Sequence, residues 1–345
     1  MNSRQRVLTA LNHKEPDQVP IDLAATTVTS ITYPAYQALR QYLCLPPDDP
    51  PVLSHLHQGT VRPAEDLYQL YAVDFRTVYM KKSPRGHAIK TMPDGSFYDE
   101  YDILWTKMEY DYSPGQAPLA GCSVEDLDGV TGPDPYDPAR VQGLAAEAKA
   151  LFEKTDKAIV ADIMCRRPFE LAVKLRGFEQ FVMDMSLDRK FAMALLDKIT
   201  EAIIALWEAY LNAVGPYVQV VCQGDDMGMQ TNLVFSPKMY RQLIKPCRQR
   251  IYDFVHANTV AKVFMHSCGA IYDIIPDLIE VGVDALNPIQ RDASRMEIGN
   301  LKKEFGAELC FWGGGIDVQH LLRASDPDTI AAEVQRSIET LAPGG

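Results

Sequence analysis

From Tyr136 onward the chain alternates between short apolar runs and segments of helical length, and this rhythm limits the fold more than any other feature. Apolar runs at 158–163 (AIVADI), 217–222 (YVQVVC), 261–266 (AKVFMH), 283–288 (VDALNP) and 309–314 (LCFWGG) are separated by helix-like stretches such as 188–214 and 236–258. Strands joined through helices pair in parallel. Two runs upstream, 18–23 (QVPIDL) and 75–80 (FRTVYM), bring the count to seven. The expectation is an α/β fold, a (β/α)8 TIM-type barrel, with its eighth strand missing where the chain stops at APGG. A doubly wound open sheet is the other arrangement, but no Gly-x-Gly-x-x-Gly opens any of the helices. Residues 81–135 are rich in Gly, Pro, Asp and Tyr, which predicts hairpins and loops making an excursion from one domain spanning 1–345.

Composition narrows the partners. Net charge is −12, with no run of lysine or arginine, so neither nucleic acid nor an anionic membrane is expected as the main partner. No stretch approaches the roughly 20 apolar residues of a membrane span, and the N-terminus lacks a signal-peptide core. The seven cysteines are odd in number and scattered. That pattern fits reduced thiols and a cytoplasmic location better than a disulfide framework.

In a barrel of this type the chemistry lies at the C-terminal ends of the strands. Here those ends carry Arg166 and Arg167, then Asp225, Asp226 and Gln230, then His266 and Cys268, then Asn287 and Gln290, and last Trp312 and Asp317. Singly, each has an ordinary explanation: Asp317 as a turn or helix cap, either arginine as a surface ion pair. Five successive polar strand ends are harder to explain that way. His266 and Cys268 are sharpest, because side chains two apart on a strand face the same side. Nitrogen and sulfur so placed suit two ligands of Zn²⁺. They also suit a Cys–His nucleophile pair, or a half-buried thiol beside a polar histidine with no special role. A metal needs a third ligand. Cys310 is the candidate, Cys222 is similar, and Asp225 or Asp226 could give a carboxylate.

The order of these motifs resembles the uroporphyrinogen decarboxylase superfamily from Arg4 to Gly345. The resemblance is carried by RVLTALNHKEPDQVPIDL, GDDMGMQTNLVFSPKMYRQLIKPCRQRI, KVFMHSCGAIYDIIPDLIEVGVDALNPIQ, LKKEFGAELCFWGGGIDVQ and the closing LAPGG. It implies a (β/α)8 barrel and a choice between two branches. The decarboxylases of the porphyrinogen carry an arginine motif after the first strand and an aspartate after the second. This chain reads IDLAATTVTS and VYMKKSPRG there. A substrate with eight carboxylates needs a basic cleft, and only Arg166, Arg167, Lys81 and Lys82 are obvious for it. The other branch holds zinc-dependent methyltransferases that move a methyl group from a methylated corrinoid protein to a thiol such as coenzyme M. Their His-x-Cys matches His266 and Cys268, and their third cysteine falls on the last strand, beyond Gly345.

The resemblance thus implies zinc at His266 and Cys268, while Cys310 is a candidate third ligand from the reading of the residues alone. It implies a corrinoid protein as methyl donor, and Asp225 and Asp226 as catalytic carboxylates. Arg166, Arg167, Gln230, Asn287, Gln290, Trp312 and Asp317 are then expected to bind substrate or cofactor, with a homodimer as the assembly. The alternatives are a carboxy-lyase for a porphyrinogen or small carboxylic acid, and a non-catalytic barrel that binds a tetrapyrrole or corrinoid.

Overall fold

The computed structural model describes residues 1–83, 90–108, 112–130, 132–163 and 167–345. Six parallel strands form one sheet in sequence order: β1 (Phe75–Tyr79), β2 (Ala158–Asp162), β3 (Val220–Gly224), β4 (Lys262–His266), β5 (Ala285–Asn287) and β6 (Cys310–Phe311). This is an α/β fold of the TIM-barrel type, although the ring of hydrogen bonds is not closed among the described residues.

The seventh run expected from sequence, 18–23, has no regular secondary structure and joins no strand. Just before β1 the Asp74 amide donates to the Ile21 carbonyl at 2.9 Å. Pro20 supplies the reason: a proline has no N–H to continue a ladder. Between this segment and β6 lies a largely apolar cleft of about 690 Å³, bordered by Leu11, Asp22, Phe75, Asn287, Trp312 and Leu341.

Strand alternation divides the core in two. Ala158, Val160, Val220, Cys222, Phe264, Ala285 and Cys310 meet inside the barrel, while Ile159, Ala161, Val221, Val263, Met265 and Leu286 meet the outer helices. Both faces are buried, which is why these strands read as continuous apolar runs. Each enclosed Val or Ile side chain contributes roughly 1.5–3 kcal/mol. Helix α1 (Ser3–Leu11) plugs the strand-entry end of the barrel with Val7 and Leu11. Its start is fixed by a capping box between Asn2 and Gln5. The long helix α2 (Arg189–Val214), capped by Asp188, buries Leu195, Ile199, Ile203, Leu206 and Tyr210 at helical spacing.

Two antiparallel additions flank the mouth. The expected excursion at 81–135 contains a four-stranded sheet of Lys90–Thr91, Phe97–Tyr98, Leu104–Lys107 and Tyr112–Pro114. A three-stranded sheet of Ile31–Thr32, Thr60–Arg62 and Val52–His55 was not expected from sequence. The Tyr112 amide ties the two together by donating to the His57 carbonyl at 3.1 Å. No helix among the described residues is long and apolar enough to cross a membrane.

Candidate metal centre

The parity that sends Phe264 and Ala285 inward also sends His266 and Asn287 inward, one layer nearer the mouth. Register sets Gly224 beside His266 and His266 beside Asn287. The side chain of Asn287 is oriented by its own strand neighbour, since its Nδ2 donates to the Trp312 carbonyl at 2.7 Å. Its Oδ1 therefore faces His266 Nδ1, also at 2.7 Å, and that nitrogen carries the proton. The lone pair is left on Nε2. It points to Cys268 Sγ at 3.5 Å and to Asp226 Oδ1 at 3.5 Å.

Asp226 reaches this spot because the loops after β3 and β4 touch backbone to backbone. A Cβ on Gly228 would lie 2.7 Å from the Cys268 carbonyl oxygen, and one on Gly269 would lie 2.4 Å from the Gly228 carbonyl carbon. Gly269 also holds a φ of +84°, which side chains rarely adopt. The Cys268 amide donates to Asp226 Oδ1 at 3.0 Å, and Arg167 Nη1 donates to Asp226 Oδ2 at 3.0 Å. The Gln290 side-chain Oε1 accepts the Gly269 amide at 2.8 Å and fixes the far side of the turn.

Nitrogen, sulfur and carboxylate ligand atoms of His266, Cys268 and Asp226 thus lie within 4.8 Å of one another. Donors around one tetrahedral zinc stand about 3.3–3.6 Å apart, given bonds of about 2.0–2.3 Å, so the 3.5 Å separations fit. Burial first, then Arg167, lowers the His266 pKa, which keeps the ring neutral and its lone pair available. Burial, reinforced by Asp226, pushes the Cys268 thiol up to about 12. A bound dication offsets both effects on the thiol.

The remaining expected residues divide. Asp225, expected to be catalytic, turns away from His266 and accepts the Phe169 and Glu170 amides at 2.9 and 2.8 Å. It also takes Arg248 Nη2 at 3.1 Å, with both side chains fully enclosed. The carboxylate is occupied in holding helix α3 (Pro168–Arg176) in place. Cys310 is not beside His266 and Cys268 either. It lies two residues before the mouth layer and donates from Sγ to the Ala10 carbonyl at 3.1 Å, against α1. Asp226 stands where Cys310 was expected.

The Trp312 ring packs against two phenylalanines, Phe75 tilted at 4.8 Å and Phe264 near-perpendicular at 4.9 Å between centroids, and its Nε1 donates to Asp22 at 2.8 Å. Gln230 links Gln290, at 2.9 Å, to Asp292 on the rim. Asp317 caps its own turn, accepting the Gln319 and His320 amides at 2.8 and 2.9 Å, and stands near Asp292. Arg166 lies outside the described residues. Asp22 and His55, near the mouth, escaped the sequence reading. Asp22 follows an apolar run as the other site residues do, so the strand-end rule alone could have found it.

Among known proteins, a methyltransferase from Methanosarcina mazei has a similar structure, with a TM-score of 0.64 at 19% identity over 100% of this chain and 90% of that one. At that identity the likeness concerns the fold. No curated protein matches the sequence. The family model for uroporphyrinogen decarboxylase (URO-D) matches residues 106–345, from the excursion through the last helix. The chain belongs to the uroporphyrinogen decarboxylase family.

Proposed function

We propose that the protein is an enzyme of zinc-assisted methyl transfer, from a methylated corrinoid carried by a partner protein to a thiol acceptor. The observation that carries this reading is the convergence of His266 Nε2, Cys268 Sγ and the Asp226 carboxylate, with His266 Nδ1 tied to Asn287. His266, Cys268 and Asp226 would hold the zinc. When bound, the metal supplies a Lewis acid that lowers the pKa of the acceptor thiol and makes it a thiolate at neutral pH.

The chain's own groups prepare the site. Asn287 holds the imidazole in the tautomer that ligation needs. Arg167 pairs with Asp226 and lessens the charge collected at the mouth. Gln290 and the Gly228–Gly269 contact hold the Cys268 turn in register with β5. His266, Cys268 and Asp226 would supply three protein ligands, fewer than the four of a structural zinc site and in keeping with a catalytic one.

A decarboxylase acting on a small carboxylic acid is the second reading, favoured by family membership and by Arg167 at the mouth. Metal analysis with an assay separates the two. Expected for transfer is one equivalent of zinc, lost in His266→Ala and Cys268→Ala, together with demethylation of methylcobalamin by 2-mercaptoethanol. Metal-free protein that releases carbon dioxide from an added acid would replace this reading with the second.

A further inference from the structure

Beside the metal centre, across Arg167, is a separate cavity of about 250 Å³. Its wall joins three parts of the molecule: His55 and His57 from the first antiparallel sheet and its turn, Trp105 and Tyr112 from the second, and Arg167 and Lys174 from the start and last turn of α3. Ordinary ligand clefts measure roughly 300–1,000 Å³. A four-pyrrole macrocycle does not fit a space smaller than these, so the occupant is a small molecule.

The charge on the wall is lopsided. Arg167 and Lys174 both pair with Glu170, and Arg167 also pairs with Asp226 on its other side, so the groups lining the cavity are two cations and one carboxylate. Burial pushes the Glu170 carboxyl up, yet the two cations hold it down to about 2. His55 registers the same positive field: burial first, then Lys174, Arg167 and Lys82, brings its pKa down to about 3, so its ring is neutral. Cations of that density repel a divalent metal from the His55–His57 pair, whose facing nitrogens stand 3.3 Å apart. They attract an acid.

The apolar part of the wall is aromatic. His57 lies against Trp105 at 3.7 Å between centroids, and the Lys174 ammonium sits 5.2 Å from the Trp105 ring centre. Flat rings next to a cation favour a flat, unsaturated anion over a branched aliphatic one.

We propose that this cavity binds the carboxylate end of a small planar organic acid, with its charge against Lys174 and Arg167 and its body against Trp105 and Tyr112. As a binding site the cavity stands alone. As the substrate's subsite it rests on the transfer reading above, because Arg167 is the residue shared with Asp226.

Calorimetric titration with benzoate, and with benzamide as its uncharged counterpart, tests the proposal. Benzoate is expected to bind saturably and benzamide not. Replacing Lys174 with Gln should weaken benzoate about tenfold, as loss of one charge-assisted contact does, and Lys174→Arg should retain it. Equal binding of the two probes, no binding of benzoate at millimolar concentration, or an unchanged affinity in Lys174→Gln overturns the proposal. In His266→Ala, benzoate binding is expected to persist while zinc is lost, so failure of the metal reading is told apart from failure of this one.

Discussion

The Asn287 side chain donates from Nδ2 to the Trp312 carbonyl and accepts the His266 Nδ1 proton on Oδ1, each at 2.7 Å. One side chain thereby fixes which imidazole nitrogen is free to bind a metal. Outer partners of this kind are worth about 10–100-fold in metal affinity. Asn287→Ala is expected to lose zinc to a competing chelator by that margin while remaining folded. Unchanged zinc retention would mean that the tautomer is fixed by something other than Asn287.

Asp226 and Cys310 make opposite predictions. Asp226→Ala should release zinc as His266→Ala does, because its carboxylate lies 3.5 Å from Nε2. Cys310→Ala should keep a full equivalent, because that thiol is bonded to the Ala10 carbonyl against α1. Metal content of the two purified variants decides between them, and loss in Cys310→Ala with retention in Asp226→Ala would restore the cysteine as third ligand.

The Asp225–Arg248 pair is fully enclosed. Removing one member of such a pair strands the other charge at a cost of about 3–5 kcal/mol. Arg248→Met should therefore lower the denaturant midpoint sharply. Asp225→Asn combined with Arg248→Met should recover part of the loss, since the amide oxygen can still accept a backbone N–H of α3. A double variant as unstable as the single would contradict the account.

Asp22 sets a pH dependence. Burial raises its pKa to about 6, against the Ala25 amide and Trp312 indole that favour the carboxylate. A carboxyl whose folded pKa lies above its unfolded value of about 3.9 binds its proton more tightly when folded. Its contribution is present below pH ~4 and is lost as pH rises through ~6. The expected loss is on the order of 1 kcal/mol, reduced because the residue borders the cleft and keeps some contact with water. Melting temperatures of the wild type and Asp22→Asn from pH 4.5 to 7.5 check the sign: the wild type should fall relative to the variant as pH rises.

The barrel was legible from apolar runs because both strand faces are buried, leaving 158–162 and 220–224 without a polar break until their ends. The run at 18–23 looked equally apolar, but a single proline removed it from the sheet. His266 and Cys268 could be paired from parity alone. The third ligand could not, because neighbouring aspartates 225 and 226 diverge, one to the α3 amides and one to Cys268. Which way each turns depends on Arg248, twenty-odd residues downstream, and on two glycines whose loops meet only in three dimensions. The hairpin bearing His55 stayed hidden because its strands are short and follow a proline-rich stretch that reads as loop.

The seam between β6 and the 18–23 segment has a bearing on the reaction centre. Asn287 belongs to both places, forming part of the cleft's border while gripping the imidazole. A wedge pushed into the seam would bend the strand that carries this amide, and His266 would register it as a change of grip. Sealing the wall and tuning the proposed metal site are, at this one residue, the same mechanical event.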